Sequence, residues 1–391
     1  MKKSKLYLVS VMTVFFFGLC LMCWFKGVDE YSDSERRVLA DFPDLNETTI
    51  SSGKFMKEFE TYTLDQFPFR DTFRSIKATA QLGLFRQKDN NNIYVADGYV
   101  SKLEYPMNEY MLDNAAKKFR YLYDTYMADK DVNVFFSIVP DKNYFLAEAN
   151  GYLSMDYEVF FDTMQEKTGD FMEYIDITDL LTIEHYYRTD THWRQECLIA
   201  TDAIVNRLPG AEVKACNMMS TSDGVANRIA ETMGNKLTWK YEAVTADQPF
   251  YGVYVGQSAL PLNPDTLTYL TNDKLEACKV TSYDTGMPKE KAVYMVDELD
   301  GKDPYEMFLA GSDALLVIDN PNATTDKELI VFRDSFGSSL LPLLIESYSK
   351  VTVVDIRYIS SGMLGNFIEF DDQDVLFLYS TLVLNSSTSF K

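Results

Sequence analysis

Histidine is almost missing from this chain: His185 and His192 are the only two in 391 residues. Cysteine is nearly as scarce, with five in all, of which only Cys197, Cys216 and Cys278 lie beyond residue 25. Three cysteines permit at most one bridge, so a disulfide scaffold is excluded; Cys216–Cys278 is one pairing open to them. No Cys-x-x-Cys pair occurs outside the first 25 residues, and two histidines are too few to suggest a zinc centre, so neither metal nor cofactor is expected. Positive charge is also short, at 37 Lys and Arg against 59 Asp and Glu, a formal charge of −22. That balance argues against nucleic acid or an anionic membrane surface as partner. Internal repeats and low-complexity tracts are missing too. What is abundant is core-forming material, 46% apolar and 14% aromatic, which supports a large packed core and excludes a disordered chain.

One long apolar run stands at the N-terminus. Residues 6–25 are interrupted only by Ser10 and Thr13. Twenty residues at helical rise span roughly 30 Å, the thickness of a hydrocarbon core. Lys2, Lys3 and Lys5 precede the run; Lys26 follows it, with Asp29 and Glu30 soon after. The positive-inside bias keeps the N-terminus in the cytoplasm and exports the rest. A cleaved signal peptide is the rival reading. Its apolar core is shorter and ends in small residues, whereas this run ends Leu21-Met22-Cys23-Trp24-Phe25. Leu19 and Met22, ahead of Cys20 and Cys23, also stand where a lipoprotein site would need a small residue. The expected organisation is a single-pass membrane protein, with residues 1–26 as anchor, 27–52 as juxtamembrane linker and 53–391 as an extracytoplasmic domain.

Within that domain the pattern predicts helix over residues 54–85, broken at Phe67-Pro68-Phe69, where proline cannot continue a helix. Residues 93–100 read as a hairpin turning at Asp97-Gly98. Met111, Ala115, Phe119, Leu122 and Tyr126 lie at helical spacing and mark a core helix. Buried strands at 132–139, 173–176, 314–318, 328–332, 351–356 and 375–378 alternate with helical stretches, among them 338–348. Another is the segment after His192, with Cys197, Ala200, Ile204 and Leu208 on one face. This alternation predicts an α/β fold with a mainly parallel sheet covered on both faces. Residues 210–310 break the rhythm and read as an insertion or cap.

Chemistry in such folds gathers where strands end and helices begin. Residues 328–339 run from an apolar strand through Arg333-Asp334-Ser335 into a helix. There Ser335 would sit near backbone N–H groups able to stabilise negative charge. Serine is equally a common N-cap, so this segment alone leaves both roles open. Arg333 and Asp334 would either position substrate or close a turn. In Tyr186-Tyr187-Arg188-Thr189-Asp190-Thr191-His192-Trp193, an extended loop would point Asp190 and His192 the same way, letting the carboxylate orient the imidazole. The alternative is a structural histidine at a helix start. Together the two segments supply a nucleophile, a base and an orienting acid in the order Asp, His, Ser, and triads occur in several chain orders.

These pieces resemble the DHHW proteins, relatives of the SGNH-hydrolase-like proteins that act in O-acetylation of alginate and other exopolysaccharides. The resemblance rests on Ser34-Glu35-Arg36-Arg37, Asp65-Gln66-Phe67-Pro68-Phe69-Arg70-Asp71, Val139-Pro140-Asp141-Lys142, the Asp190-Thr191-His192-Trp193 segment, Phe308-Leu309-Ala310-Gly311-Ser312, and Val331-Phe332-Arg333-Asp334-Ser335-Phe336. It departs at two places: Thr191 stands where the name-giving motif has a histidine, and Ser312 where an asparagine is usual. The resemblance implies an SGNH-like fold and an acyl-transfer mechanism. Ser335 would take an acetyl group, with His192 as general base and Asp190 orienting it. Backbone N–H groups near Ser335 and at Gly311, with Ser312, would serve the oxyanion. A polysaccharide would be the substrate, and a membrane-bound O-acyltransferase the partner supplying acetyl groups. An acetylesterase with the same triad, or a non-catalytic glycan-binding or scaffold protein, are the alternatives. The intact mass of protein extracted from membranes is expected to retain the apolar run; loss of about the first 25 residues would reject an uncleaved anchor.

Overall fold

The computed structural model describes residues 2–205, 224–284 and 287–391. It divides into two compact units, Met1–Asn91 with Val253–Leu262, and Asn92–Gly252 with Asn263–Lys391. The first unit takes in residues 27–91 together with residues 253–262 of the expected cap.

In the first unit, α1 (Lys2–Phe25) is the expected apolar helix. Residues 27–52 contain short regular elements. Tyr31–Ser32 pairs with Arg37–Val38, and a short helix, Glu47–Ser51, is closed by an Asn46–Thr49 capping box. The predicted helical stretch follows as α2 (Lys54–Asp65) and α3 (Arg70–Thr79), the latter running into a π-helical turn, Ala80–Leu84. The break falls where the proline required it, with Phe69 at φ 56° opening α3.

The second unit is built on an eight-stranded sheet. Its strands in chain order are β1 (Asn133–Val139), β2 (Glu173–Tyr174), β3 (Lys279–Ser282), β4 (Lys289–Lys291), β5 (Leu315–Asp319), β6 (Glu328–Arg333), β7 (Lys350–Val354) and β8 (Asp374–Ser380). Across the sheet they run β4-β3-β5-β7-β6-β8-β1-β2. The five strands from β7 to β2 are parallel, as predicted, while β4, β3 and β5 continue the sheet with antiparallel pairings. Part of the expected cap is thus an extension of the sheet. Another part pairs Tyr241–Phe250 with Asp265–Thr271 as a separate small sheet, and residues 210–223 of the cap lie outside the described residues.

Successive side chains of a strand face opposite ways, and here both faces are packed. Leu329 and Val331 of β6 join one core with Leu376, Leu378, Trp193 and Leu340. Ile330 and Phe332 join the other with Phe136, Phe377 and two helices, α4 (Glu109–Tyr126) and α5 (Tyr157–Thr168). That explains why β1 and β8 read as unbroken apolar runs. The hairpin Ile93–Ala96 and Tyr99–Lys102 turns at Asp97 and Gly98, both at positive φ as a type I′ turn demands.

Two expectations fail locally, and one pairing left open is not used. The helix at 338–348 is only Phe336–Leu340, because Pro342 follows and the chain continues in 3-10 turns. The helix after His192 is replaced by 3-10 turns at Gln195–Cys197 and Thr201–Ala203. There the buried Gln195 amide accepts from Leu270 N and donates to Ser339 O, tertiary bonds that outweigh periodicity; Leu208 lies outside the described residues. Cys197 is disulfide-bonded and Cys278 is a free, buried thiol, so the Cys216–Cys278 pairing does not form.

Phe119 of α4 is fully buried against Phe136, Phe377, Tyr379 and Phe390. Phe119→Ala is expected to cost about 3–5 kcal/mol, read from a denaturant titration followed by near-ultraviolet circular dichroism.

Candidate active site

Three parallel strands end on one edge of the sheet, and hydrogen bonds tie their exits together. Asp334, one residue beyond β6, is fully buried. Its Oδ1 accepts from Phe336 N at 3.0 Å, and its Oδ2 from Ser380 N at 2.7 Å and Ser380 Oγ at 2.6 Å at the end of β8. Asp141, just past β1, accepts from Thr381 Oγ1 at 2.6 Å and Tyr157 OH at 2.8 Å. Lys142 beside it is also buried, and its Nζ donates to Tyr187 O at 3.0 Å and Arg188 O at 3.2 Å. Burial pushes this ammonium down to about 7, against the opposing pull of Asp190, Asp265 and Asp141.

The loop that Lys142 holds carries the candidate base. Asp265 accepts from Arg188 N, Thr189 N and Thr189 Oγ1, and Gly252 N donates to Thr189 Oγ1. Asp190 is 1% exposed; its Oδ1 lies 2.6 Å from His192 Nδ1 and accepts from His192 N at 3.1 Å. The spacing of two residues thus lets one carboxylate fix both backbone and ring. His192 Nε2 is 2.7 Å from Ser335 Oγ. With Nδ1–H donating to Asp190, Nε2 is left as the acceptor for the hydroxyl proton. Ser335 is the N-cap of Phe336–Leu340, yet its side chain makes no capping bond. The capping role that competed for this serine is not the one it fills.

Further groups fix the ring. Tyr305 stacks on His192 with centroids 3.8 Å apart and planes at 6°. Its hydroxyl donates to Ser339 Oγ at 2.9 Å. Trp193 Nε1 reaches Phe336 O and Ser339 Oγ, both at 3.0 Å, and so joins the histidine loop to the serine helix.

The residues considered for substrate or oxyanion contact already make bonds within the fold or lie at its surface. Asp334 has both oxygens committed within the fold. Arg333 is fully buried and donates to Gly311 O at 2.9 Å, pinning the 309–311 loop to the strand end. Gly311 at φ 71° gives its N–H to Phe308 O, so that donor does not face an incoming oxyanion. Phe336 N and Gly337 N bond Asp334 Oδ1 and O respectively, so the helix start is occupied too. Ser312 is exposed. Among the described residues no acceptor takes the Ser335 N–H, which leaves it as the backbone donor beside Oγ. His185 lies apart from this constellation, buried, its Nδ1 accepting from Thr182 N.

Sequence reasoning brought Asp190, His192 and Ser335 together but missed Lys142, Tyr305, Gly252 and Asp265. A lysine three residues past a buried strand was a usable signal; nothing in the local pattern marked the others.

A family model described as "DHHW protein" matches residues 242–354. The solved DHHW family protein of Eubacterium siraeum superposes with a TM-score of 0.53 at 19% identity, over 77% of this chain and 94% of its own. PatB1 of Bacillus cereus with a sulfonyl adduct gives 0.53 at 18% identity over 75% and 95%, and PatB1 alone 0.51 at 16% over 75% and 96%. The fold is therefore the SGNH-like α/β arrangement expected. No curated protein sequence matches the chain.

A Cβ at Gly252 would lie 2.3 Å from Asp190 N and from Thr189 C. Gly252→Ala is expected to cost about 1–3 kcal/mol and to abolish sulfonyl fluoride labelling of Ser335, measured by unfolding midpoint and by mass spectrometry.

Proposed function

We propose that this chain, which resembles the DHHW proteins, is a serine acyl-transfer enzyme that O-acetylates a cell-envelope or secreted polysaccharide outside the cytoplasm. The observation carrying this reading is the continuous Asp190–His192–Ser335 line, with contacts of 2.6 and 2.7 Å. In that line Ser335 Oγ attacks the carbonyl carbon of an acetyl donor as its proton moves to His192 Nε2. The negative oxygen of the tetrahedral intermediate is met by the Ser335 N–H. Collapse breaks the bond to the leaving group, which takes the proton from His192, and leaves an acetyl-serine. A sugar hydroxyl then gives its proton to Nε2, attacks the ester and departs acetylated, returning the proton to Ser335. Asp190, buried and bonded to Nδ1, stabilises the imidazolium that forms in each half.

Anchorage through residues 6–25 would hold the domain near an acetyl donor at the membrane, the service a membrane-bound O-acyltransferase provides. An acetylesterase would share every step except that water replaces the sugar. A purely scaffolding role is disfavoured by a serine side chain bonded to a histidine instead of to its own helix.

PatB1 is known with a sulfonyl adduct, which supports using the same reagent class here. The detergent-solubilised full chain, treated with phenylmethylsulfonyl fluoride, is expected to gain one adduct on the Ser335 peptide, and Ser335→Ala and His192→Ala to gain none. Both variants should release acetate from an activated acetyl ester at least about a hundredfold more slowly. Equal rates for all three proteins would reject catalysis. An acetylated oligosaccharide product marks the transferase, acetate alone the esterase.

A further inference from the structure

Helix α3 is amphipathic the wrong way round for a soluble unit. Its two arginines point inward: Arg70 and Arg74, each 17% exposed, reach Glu35 at 2.5 and 3.0 Å, and Arg74 also donates to Gly256 O at 2.9 Å. Ala78 on the same side is fully buried. The apolar side points outward. Phe69, Phe73, Ile76 and Leu84 recur at helical spacing and are 61%, 38%, 59% and 74% exposed. Thr72, Thr79, Ala80 and Gly83 complete this face, and the exposed Lys77 stands at its edge, where a long side chain can reach a headgroup. A helix in water buries its apolar stripe and exposes its charges; this outer face departs from that pattern.

The position of that face names the solvent. The first residues after α1 are bonded to the start of this helical segment. Lys26 Nζ reaches Asp29 at 2.5 Å and Gln66 O at 3.5 Å, and the Gln66 amide exchanges hydrogen bonds with Asp29 N and O at 2.9 and 2.8 Å. Gln66 closes α2 and stands three residues before Phe69. The apolar face therefore begins where the apolar helix ends, inside the same compact unit. Phe69 sits at φ 56°, a region that aromatic residues rarely adopt, and yet its ring is presented outward.

We propose that the Phe69–Leu84 face lies in the lipid interface beside α1, as a second, monotopic membrane contact. The occupant is the bilayer itself, because the face is continuous with the helix that ends in it. This rests on reading α1 as a membrane helix. The face then fixes how the N-terminal unit meets the membrane, where a single helix alone would leave it free to swivel.

The test uses the full chain in phosphatidylcholine vesicles containing a phospholipid with a diazirine in its acyl chain. After illumination, mass spectrometry maps the labelled peptides. Adducts are expected on α1 and on residues 69–85. Ile76→Glu with Leu84→Glu is expected to lower labelling of 69–85 at least about fivefold while α1 labelling and Ser335 sulfonylation stay unchanged. Adducts confined to α1 in the unaltered chain would overturn the proposal and leave the face to a protein partner. Adducts on neither segment would overturn the anchor reading with it.

Discussion

The hydrogen bond between His192 Nε2 and Ser335 Oγ joins residues 143 apart in the chain, and the candidate chemistry depends on it. Such a contact cannot be maintained by two free loops, because the entropy of ordering them exceeds what one hydrogen bond returns. It is maintained here by a closed circuit. Ser335 follows Asp334, which holds Ser380 at the end of β8; Thr381 beside it bonds Asp141 at the end of β1. Lys142, next along, grips the carbonyls of Tyr187 and Arg188, and that loop leads through Asp190 and His192 back to Ser335.

The members of this circuit are buried carboxylates and a buried ammonium, groups that are costly to remove from water unless their bonding is complete. Asp334 and Asp141 each accept several bonds, and this satisfaction makes the edge rigid. The parallel arrangement of β6, β8 and β1 supplies the frame, since parallel neighbours end on the same edge. Tyr305 stacked on the imidazole and Trp193 bonded to Ser339 then restrict the ring to the orientation that meets the hydroxyl.

The N-terminal unit follows a different logic. Glu35, Asp65, Arg70 and Arg74 are drawn together with little exposure, with Arg37 half-exposed beside them, while Phe69, Ile76 and Leu84 are left outside. Ion pairs in the interior with apolar groups on the surface is an arrangement suited to a lipid boundary, and it sits at the end of the one long apolar helix among the described residues.

Much was legible in the sequence because it depends on local pattern. The apolar run became α1, the unbroken runs became buried strands, Pro68 ended α2, and Asp97-Gly98 made its turn. The two-residue interval of Asp190 and His192 also survived folding, since one carboxylate can reach both the backbone and the ring of a residue two positions on. The helix after His192 was not legible, because bonds from Gln195 to distant strands decide that segment. Whether Arg333 and Asp334 close a turn or meet substrate was equally open in the sequence, because their partners Gly311 and Ser380 are chosen by how strands and turns dock. Sequence alone determined the elements and the types of reactive side chain, because periodicity and turn chemistry act over a few residues. Only tertiary structure decided which hydroxyl faces the imidazole and which polar groups are spent on holding it there, because those contacts join parts of the chain that only the sheet order brings together.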